Sequence, residues 1–539
     1  MSRIYITTPL YYVNAAPHIG HAYSTVAADC LARYHRLRGD EVYFLTGTDE
    51  HGQKIAQAAR EQGMEPKAFV DQVVGTFQEL WRLLGIGYDD FIRTTEPRHV
   101  KTVQAILERL HREGKLHQFG YSSWYCTPCE TFWTVGDLKD AGTWDEASQK
   151  GSCPSCKRPV ATMEEDTFNL KLEESRLWLR RHVQEHPTFI QPEVRRNEAL
   201  SLLERPLPEY LCITRDRSRV PWGIGVPFSK QHVVYVWFDA LINYISAVGY
   251  GRDDEQFKRW WPATIHMIGK DILRHHAIYW PIMLHALGFP DDQMPRQIFA
   301  HGWWLVGQSK MSKSVGNVVN PVELVGRYGA DALRYFLLRE APFGSDGSFS
   351  EDALVLRINS DLANDLGNLL QRSLHIVEQS FGGVLPPSLA AGGAMPAAFA
   401  HRAAEITAAV QALPQRLADA MDRRAFDAAL DAIWEPVRAG NRLLDECKPW
   451  ALVKSGEQQN AGAVLASVAL TLRAVAIALS PWMPTTTQEM WRRLGEPSSF
   501  SSVKLSDLQI FDLLKANQAP LLATGMRIER GAPLFPRIV

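Results

Sequence analysis

Basic residues are not in excess in this chain of 539 residues, since 58 lysines and arginines stand against 60 aspartates and glutamates. The formal net charge is -2 and the sequence pI is near 6.8. Many nucleic-acid-binding proteins carry a basic excess, so composition alone does not indicate such a partner. The N-terminus also lacks a basic segment followed by an apolar core and a small-residue cleavage site, and Ile4 to Leu10 is more typical of a first strand. Secretion is therefore not expected.

Long apolar runs are scarce, and one stretch, Ala461 to Ser480, approaches the length of a membrane span. Arg473 lies inside this stretch, together with Ser467 and Thr471, and much of its apolar content is alanine. A charged residue in the middle of a membrane span is costly, so a helix buried in a soluble bundle is favoured. We expect no membrane association.

Cysteine is also scarce, and the seven cysteines do not form the pattern of a disulfide framework. Four of them form two Cys-x-x-Cys pairs, at Cys126, Cys129, Cys153 and Cys156. This array is typical of tetrahedral zinc bound by four thiolates, which leaves no open coordination position and so predicts one structural Zn²⁺ per chain. The alternative is four unmetallated or redox-active thiols. Metal ligation suits a reducing compartment, so we expect a cytoplasmic protein.

The length predicts three or four domains, and no internal repeat is present. Short apolar runs alternate with helical patterns in the first 115 residues, which is typical of a parallel sheet with crossover helices. Predicted strands cover Ile4–Thr8 and Glu41–Thr46, and predicted helices cover Gly20–Arg38 and Pro66–Leu84. Strand patterns return at Val233–Trp237, Thr264–Ile268 and Gln297–Ala300, after an irregular segment that contains the cysteine pairs.

We therefore predict an α/β fold in which a parallel sheet is interrupted by an insertion that carries the cysteine pairs and is followed by an α-helical bundle. The predicted units are the first half of the sheet domain (1–115), the insertion (116–232), the second half (233–349), the helical domain (350–515) and an irregular tail (516–539). The tail is expected to pack back on the body or to stay mobile.

The tetrapeptide His18-Ile19-Gly20-His21 lies between the first strand and its helix. Free backbone N–H groups and the helix dipole attract phosphate at such a position. Residues three apart share a helix face, so both histidines can point at a phosphate chain, and Gly20 lets a nucleotide approach the backbone. Two ordinary histidines at a helix start are the alternative.

A second motif, Lys310-Met311-Ser312-Lys313-Ser314, lies in a polar turn between the strand pattern near Ala300 and a helix around Val322. Its two lysines can stabilise charge that develops on a leaving pyrophosphate. A solvated basic loop is the alternative, but two phosphate-type motifs beside strands of one α/β sheet favour a nucleotide site.

Together the two motifs resemble the signatures of class I aminoacyl-tRNA synthetases, and the resemblance covers nearly the whole chain. It implies that the α/β fold is a Rossmann-like parallel sheet, interrupted by a zinc-knuckle insertion and followed by the α-helical bundle. Four further segments resemble bacterial methionyl-tRNA synthetases in particular: Thr7–Asn14, Leu45–Gly52, Tyr235–Ala240 and Ile268–Ile272. The insertion of about 117 residues is too short for the large editing domain of the similar leucine, isoleucine and valine enzymes. The nearest alternative is a cysteine-specific relative.

The resemblance implies roles for residues of the first and second halves. Asp49 is expected to pair with the methionine ammonium, and the side-chain pocket is expected to be formed by Leu10, Tyr12, Trp237, Ala240, Tyr244, Ile272 and His276. The expected ATP-binding residues are His18, Gly20, His21, Gly269, Asp271, Lys310 and Lys313, with Asn14 assisting at the phosphates. Plain core packing is the alternative for the aromatic and aliphatic residues.

The implied reaction is methionine activation by Mg²⁺-ATP to methionyl-adenylate, followed by transfer to the 3′-terminal adenosine of initiator and elongator tRNA(Met). In the helical region, Asn368, Arg372 and Trp450 resemble anticodon-reading residues of this family. The zinc knuckle lies over the active site in similar enzymes, although the stretch 130–152 between the two pairs is longer here. The chain ends at Val539 without a further C-terminal domain, so we expect a monomer.

Proteins of other functional classes would account for fewer features of the chain. A binding-only paralogue is expected to lose phosphate-contacting residues, yet both motifs are intact. A zinc-ribbon nucleic-acid binder accounts for the cysteines but not for the motifs or Asp49. Another nucleotidylyltransferase of this fold does not need a long helical C-terminal region.

Overall fold

The structure is a computed structural model that describes residues 2–205, 208–307, 309–310, 318–386, 399–496, 500–509 and 526–538. The predicted second motif falls largely outside this part of the chain, because 311–317 is not described. For Lys310 the described feature is its backbone, which belongs to a short strand.

The strands are β1 (Arg3–Thr7), β2 (Tyr11–Tyr12), β3 (Glu41–Asp49), β4 (Asp90–Arg93), β5 (Leu116–Cys126), β6 (Thr131–Trp133), β7 (Trp144–Asp145), β8 (Lys150–Gly151), β9 (Ala161–Lys171), β10 (Ile190–Gln191), β11 (Tyr210–Cys212), β12 (Thr214–Asp216), β13 (Gly225–Val226), β14 (Ser229–Val234), β15 (Ile265–Gly269), β16 (Ile298–His301), β17 (Trp304–Val306), β18 (Ser309–Lys310) and β19 (Gly347–Phe349). The main sheet has the order β10-β16-β15-β1-β3-β2, with β4 also paired to β3. Every one of these pairs is parallel.

The helices are α1 (Ile19–Leu37), α2 (Gln53–Glu61), α3 (Pro66–Leu83), α4 (Pro97–Arg112), α5 (Val135–Asp140), α6 (Glu173–Glu185), α7 (Glu193–Glu204), α8 (Val236–Ser246), α9 (Asp254–Trp260), α10 (Trp280–Ala286), α11 (Pro321–Tyr328), α12 (Ala330–Arg339), α13 (Glu351–Arg357), α14 (Asn368–Phe381), α15 (Ala400–Asp422), α16 (Phe426–Cys447), α17 (Pro449–Lys454), α18 (Gln458–Leu479) and α19 (Pro484–Arg493). Two π-helical segments, His275–Tyr279 and Ile358–Gly367, precede α10 and α14. Short 3₁₀ turns cover Lys270–Ile272, Asp291–Gln293, Phe500–Ser502 and Leu505–Gln509.

The fold begins as the apolar pattern predicts. In β1 the residues Ile4 to Thr7 are all buried, as expected of a parallel strand covered on both faces. The chain then enters α1 through His18, which caps the helix. The carboxyl ends of β1, β3, β15 and β16 lie at one edge of the sheet, where α/β proteins bind ligands.

The insertion consists largely of antiparallel strands, in which β5 and β9 form a long pair and β6 and β11 extend it. The predicted strand Val233–Trp237 is confirmed only at Val233 and Val234. Its first part ends β14, which pairs antiparallel with β12 and β13 outside the main sheet, and α8 begins at Val236. A five-residue run of β-branched and aromatic residues fits a strand or the start of a buried helix, and here it spans the boundary between the two.

The C-terminal region is helical from α13 to α19, as predicted. Its centre is α18, which is long and apolar enough to cross a membrane but is buried inside the protein from Ala461 to Leu479. Arg473 in this helix pairs with Glu496, and both side chains are almost fully buried. Residues 526–538 pack back on the bundle, where Leu385 and Ile528 form backbone hydrogen bonds with Met526 and Gly383. The predicted fold class, a parallel α/β sheet followed by a helical region, is confirmed.

Candidate active site and metal centre

Two adjoining cavities open at the carboxyl edge of the main sheet. The lining of the first includes all eight residues of the expected methionine pocket: Leu10, Tyr12, Asp49, Trp237, Ala240, Tyr244, Ile272 and His276. The lining of the second includes His18, Gly20, His21, Gly269 and Asp271, which are expected at ATP. Both cavities share Pro9, Leu10, Tyr12, Asp271 and Ile272. A ligand that fills one cavity therefore meets a ligand in the other across these shared residues.

The two histidines of the first motif form the N-terminal cap of α1. The Gly20 backbone N–H donates to His18 Nδ1 at 3.0 Å, and the His18 backbone N–H donates to His21 Nδ1 at 3.0 Å. Since both Nδ1 atoms accept, each neutral ring carries its proton on Nε2, where it is a donor. The ring centroids are 3.9 Å apart. A Cβ atom at Gly20 would lie 2.8 Å from His18 Cε1, so the missing side chain also makes room for the His18 ring.

The far wall of the first cavity contains a hydrogen-bonded pair, Tyr244 and His276. His276 Nδ1 lies 3.1 Å from the Ile272 carbonyl oxygen and His276 Nε2 lies 2.8 Å from the Tyr244 hydroxyl. A carbonyl can only accept, so Nδ1 carries the proton and the Tyr244 hydroxyl donates to Nε2. Burial lowers the pKa of His276 to about 4, which keeps the ring neutral. The His276 N–H is thus engaged by the backbone and does not point at a ligand sulfur.

Trp237 forms another wall of this cavity. Its indole stacks on the His275 ring with centroids 3.6 Å apart and planes inclined by 16°. The indole N–H has no hydrogen-bond partner among the described residues. The result is a broad apolar surface beside Ala240 and Ile272, suited to an unbranched, polarizable side chain.

Asp49 lies at the end of β3 and is 7% exposed. Within the described residues its Oδ1 atom has no hydrogen-bond partner. Burial raises the pKa of Asp49 well above its usual range, and the nearby carboxylates of Asp239 and Glu130 raise it further. A cation placed here would meet a carboxylate that forms no ion pair with the residues that the structure describes.

Asp239 is a buried anchor beside Asp49 that the sequence analysis missed. It accepts hydrogen bonds from His51 Nδ1 and His99 Nε2, both at 2.7 Å. His99 Nδ1 in turn lies 2.8 Å from the Ser246 hydroxyl. The two histidines lower the pKa of Asp239 although burial opposes them, so this carboxylate remains charged. The available signal was Asp239 within the segment Tyr235–Ala240, but its partners lie far away in the chain.

The second cavity is bordered by Gly269, Asp271 and a further residue that the sequence analysis missed, Trp303. The Trp303 indole N–H donates to Asp271 Oδ1 at 3.2 Å, and the Lys270 ammonium lies 4.2 Å from the Trp303 ring centroid. A Cβ atom at Gly269 would lie 2.6 Å from Asp271 Oδ1, so glycine permits this position of the carboxylate.

Three further residues, Asn14, Lys310 and Lys313, were predicted to bind the phosphates, and the structure does not show them at the two cavities. Asn14 is half-buried between β2 and α1 and is not among the described residues that line the two cavities. Lys313 lies outside the described residues, and for Lys310 the backbone in β18 is described, paired with β17.

The four paired cysteines converge on one point. Their sulfur atoms all lie within 4.8 Å of one another, with Cys126 and Cys156 at 3.5 Å and Cys129 and Cys153 at 3.9 Å. Tetrahedral zinc with Zn–S bonds of about 2.3 Å places its sulfurs about 3.8 Å apart, so the four thiols fit this ion. Cys129 and Cys156 also line the first cavity. The metal centre therefore adjoins the expected methionine pocket.

The residues expected at the anticodon lie together on the helical region. The Arg372 guanidinium forms an ion pair with Asp445 at 2.8 Å and lies 5.5 Å from the centroid of the Trp450 ring. Trp450 is 37% exposed at the start of α17, so it is not a core tryptophan. Asn368 begins α14 one turn before Arg372 and is half-buried.

Comparisons with known proteins agree with this arrangement. A family model described as class I tRNA synthetases (M) matches residues 4–374, and one described as the anticodon binding domain of methionyl tRNA ligase matches 389–518. A methionine–tRNA ligase of Caldanaerobacter subterraneus subsp. tengcongensis is 47% identical over 536 residues, which are 99% of this chain and 78% of that protein. One of Thermotoga maritima is 43% identical over 99% of this chain and 80% of its own length.

The same likeness holds in three dimensions. The structure of Mycobacterium tuberculosis methionyl-tRNA synthetase in complex with methionyl-adenylate matches with a TM-score of 0.89 and 37% identity, covering 100% of both chains. With a family model on well over half of its residues and relatives above 40% identity over nearly the whole chain, the chain belongs to the methionyl-tRNA synthetase family of class I aminoacyl-tRNA synthetases.

Proposed function

We propose that the two cavities are the methionine and ATP sites of a methionine–tRNA ligase, which forms methionyl-adenylate and then methionyl-tRNA(Met). The observation that carries this assignment is the juxtaposition of a buried carboxylate, Asp49, and an aromatic cavity with the capped His18–His21 motif. The carboxylate suits an α-ammonium group, the apolar walls suit a thioether side chain, and the helix N-terminus suits phosphates. The substrate carboxylate then lies between them, near the shared residues.

In the first step a methionine carboxylate oxygen attacks the α-phosphorus of ATP in line with the leaving group. The bond from that phosphorus to the bridging oxygen breaks, and pyrophosphate leaves. No protein side chain needs to act as a nucleophile. The Nε2–H donors of His18 and His21 would bind phosphate oxygens most strongly as charge develops in the transition state. We assign Lys310 and Lys313 to the same phosphates from their motif, with Asn14 assisting.

In the second step a hydroxyl of the terminal adenosine attacks the carbonyl carbon of the mixed anhydride, and AMP leaves. Asp271, oriented by Trp303, is suited to hold the ATP ribose beside Gly269. Mg²⁺ accompanies ATP and neutralises phosphate charge. Cys126, Cys129, Cys153 and Cys156 would hold one structural Zn²⁺. Both initiator and elongator tRNA(Met) are proposed substrates of a cytoplasmic, monomeric enzyme, with Asn368, Arg372 and Trp450 at the anticodon.

The assignment is tested by amino-acid-dependent exchange of pyrophosphate into ATP, measured with each of the standard amino acids. Methionine is expected to support exchange, because Asp49 fixes its ammonium and the aromatic cavity selects its side chain. Homocysteine should support weaker exchange, since one methyl group contributes about 1–3 kcal/mol in such a pocket. Exchange with cysteine or leucine in place of methionine would contradict the assignment.

A further inference from the structure

Glu130 is the residue that follows metal-ligand candidate Cys129, and it has an unusual position. Its backbone φ is +49°, in the left-handed region that few side chains adopt. Although it is a carboxylate, it is 5% exposed. Its backbone carbonyl accepts a hydrogen bond from the Tyr235 hydroxyl, just before α8. The turn that carries Cys129 therefore turns the Glu130 side chain inward.

The Glu130 carboxylate contacts two elements of the proposed methionine site. Its Oε1 atom accepts the Tyr12 hydroxyl at 2.8 Å and the Lys54 backbone N–H at 2.8 Å. Lys54 is the second residue of α2, where the helix has unpaired N–H groups and favours a negative charge. One carboxylate thus holds a wall residue of the cavity and the first turn of the helix that follows Asp49.

The space around these contacts leaves little freedom. Gly52, the residue before α2, has φ of +114°, and its backbone N–H donates to the Trp222 carbonyl at 3.0 Å. A Cβ atom at Gly52 would lie 2.5 Å from Glu130 Oε2 and 2.6 Å from the Tyr12 hydroxyl. Glu130 and Tyr12 are therefore packed against bare backbone, so a shift of one must displace the other.

Tyr12 transmits this position to the cavity. It stands opposite Asp49 in the parallel pairing of β2 with β3, and both residues line the first cavity. Cys129 and Glu130 line the same cavity. A continuous path of contacts thus runs from the four-cysteine centre through Glu130 and Tyr12 to the residues proposed for methionine.

We propose that Glu130 is a positioning residue through which the four-cysteine centre sets the place of Tyr12 and hence the affinity for methionine. The inference rests on the proposed methionine site. It gives the metal centre an influence on substrate binding through one carboxylate, beyond its structural role in the insertion. Glu130 does not touch the reacting atoms.

The test compares Glu130→Ala with Tyr12→Phe, the double variant and Glu146→Ala in the full-length, metal-loaded chain. Glu146 is an exposed glutamate of the same insertion that pairs with Lys139. Glu146→Ala is therefore a matched control that also removes one carboxylate. Methionine dissociation constants are measured by equilibrium dialysis, with metal content and melting temperature for each variant. Glu130→Ala is expected to weaken methionine binding about tenfold, as is typical when a charge-assisted hydrogen bond is lost, with metal retained.

The methionine dissociation constant of the double variant should lie within a factor of about two of that of Glu130→Ala, because both changes break the same link. Removal of the metal by a chelator should weaken methionine binding in the wild-type chain and in Glu146→Ala, but add little in Glu130→Ala. Unchanged methionine binding in Glu130→Ala, or additive losses in the double variant, would overturn the inference.

A Glu130→Ala variant that loses its metal or its cooperative melting also counts against the inference, since Glu130 would then build the knuckle instead of transmitting its position. In that case Tyr12→Phe, which leaves the insertion untouched, still tests the link between the metal centre and Tyr12. If the chelator weakens methionine binding in Tyr12→Phe as much as in the wild-type chain, the link is excluded. Asp49→Asn distinguishes a failure of the proposed methionine site from a failure of the proposed role of Glu130. If that variant keeps methionine affinity, the proposed methionine site is wrong, whereas its loss together with unchanged Glu130→Ala rejects only the role of Glu130.

Discussion

At Asp49 the protein keeps a carboxylate in its interior without a full set of hydrogen bonds. Its pKa is raised above the ordinary value of 3.8, so ionisation costs more in the folded chain than in the unfolded one. The cost begins as the pH rises above the unfolded pKa and grows until the raised, folded pKa is passed. At neutral pH this residue therefore lowers stability, while it supplies the charge that an ammonium group requires.

Asp49→Asn is predicted to raise the melting temperature at pH 7 while it abolishes methionine binding. Each 1 kcal/mol of cost that is removed would raise the midpoint by roughly 1 °C in a chain of 539 residues, since the unfolding entropy is about 2.1 cal/mol/K per residue. The gain should shrink as the pH falls and should be lost below about pH 3, where the unfolded carboxyl, with its ordinary pKa of 3.8, and the folded carboxyl of the wild-type chain are both protonated. Thermal melts of both proteins between pH 3 and 8 measure it. A variant that is less stable at pH 7 would show that the carboxylate has a stabilising partner.

Gly20→Ala is predicted to slow pyrophosphate exchange without loss of stability. The added methyl would lie 2.8 Å from His18 Cε1, so the imidazole must move, and a displacement of this kind can cost about 100-fold in rate. Gly75→Ala in α3 is the matched control, because nothing lies within 4 Å of its added methyl. It should gain up to about 1 kcal/mol of stability with unchanged exchange. Equal rates in both variants would contradict the role of His18.

The residues of the site could be predicted where they lie in a segment that resembles the family. The eight pocket residues line one cavity as expected, although their contacts with methionine remain a prediction. Glu130, Asp239 and Trp303 were missed because their roles depend on pairs that form across the fold, such as Tyr12 with Glu130. A carboxylate next to a cysteine of a Cys-x-x-Cys pair carries no sequence signal of an inward side chain.

At the scale of elements, the insertion around the four paired cysteines has a small apolar core. The apolar cluster around Cys126 and Cys153 contains few buried residues, chiefly Leu138 and Val160. So small a core contributes little hydrophobic stabilisation, and metal ligation is expected to provide the remainder.

Cys126→Ser together with Cys153→Ser is therefore predicted to abolish binding of about one zinc per chain and to loosen the insertion. Metal analysis and limited proteolysis of the purified protein measure the two effects. Cys447→Ser, at a buried cysteine of α16, is the control that should keep the metal. A wild-type protein that is metal-free yet fully active would show that packing alone holds the knuckle.

Helices and strands with a strong period were predictable to within a few residues, as α1, α3 and β15 illustrate. The run Val233–Trp237 was not predictable in this way. The residues after Tyr235 belong to helix α8, which is buried on nearly all sides. Local preference for a strand gave way to burial in the tertiary structure.

At the scale of the whole molecule, a buried arginine joins the sheet domain to the helical region. Arg334 of α12 forms an ion pair with Asp29 of α1 at 2.7 Å, and both side chains are fully buried. Its guanidinium also donates to the carbonyls of Trp482 and Pro481, each at 2.8 Å. The helix that begins with the His18–His21 motif is thus tied directly to the bundle.

Arg334→Met is predicted to destabilise the protein by about 3–5 kcal/mol, because it leaves a buried carboxylate with less compensation. Denaturant unfolding measures the loss. The double variant with Asp29→Asn should recover part of it, since the uncompensated charge is then gone. If the single and double variants are equally unstable, the carbonyl contacts matter more than the ion pair.

The position of Trp450 bears on how a nearly neutral protein would recognise its tRNA. The ring is 37% exposed and lies beside the guanidinium of Arg372, so a flat cationic and aromatic surface faces solvent. Stacking of an unpaired base on such a ring contributes about 1–3 kcal/mol. Trp450→Ala should therefore lower aminoacylation of tRNA bearing the CAU anticodon by about one to two orders of magnitude.

Methionine-dependent pyrophosphate exchange should be almost unchanged in this variant, because the ring lies in the helical region and not in either cavity. The melting temperature should also change little, since the side chain is partly exposed. Leu356→Ala, which removes an apolar side chain that is 65% exposed in α13, is the control and should leave aminoacylation intact. If exchange, aminoacylation and melting temperature of Trp450→Ala all fall together, the ring stabilises the helical region and the anticodon is read by other residues.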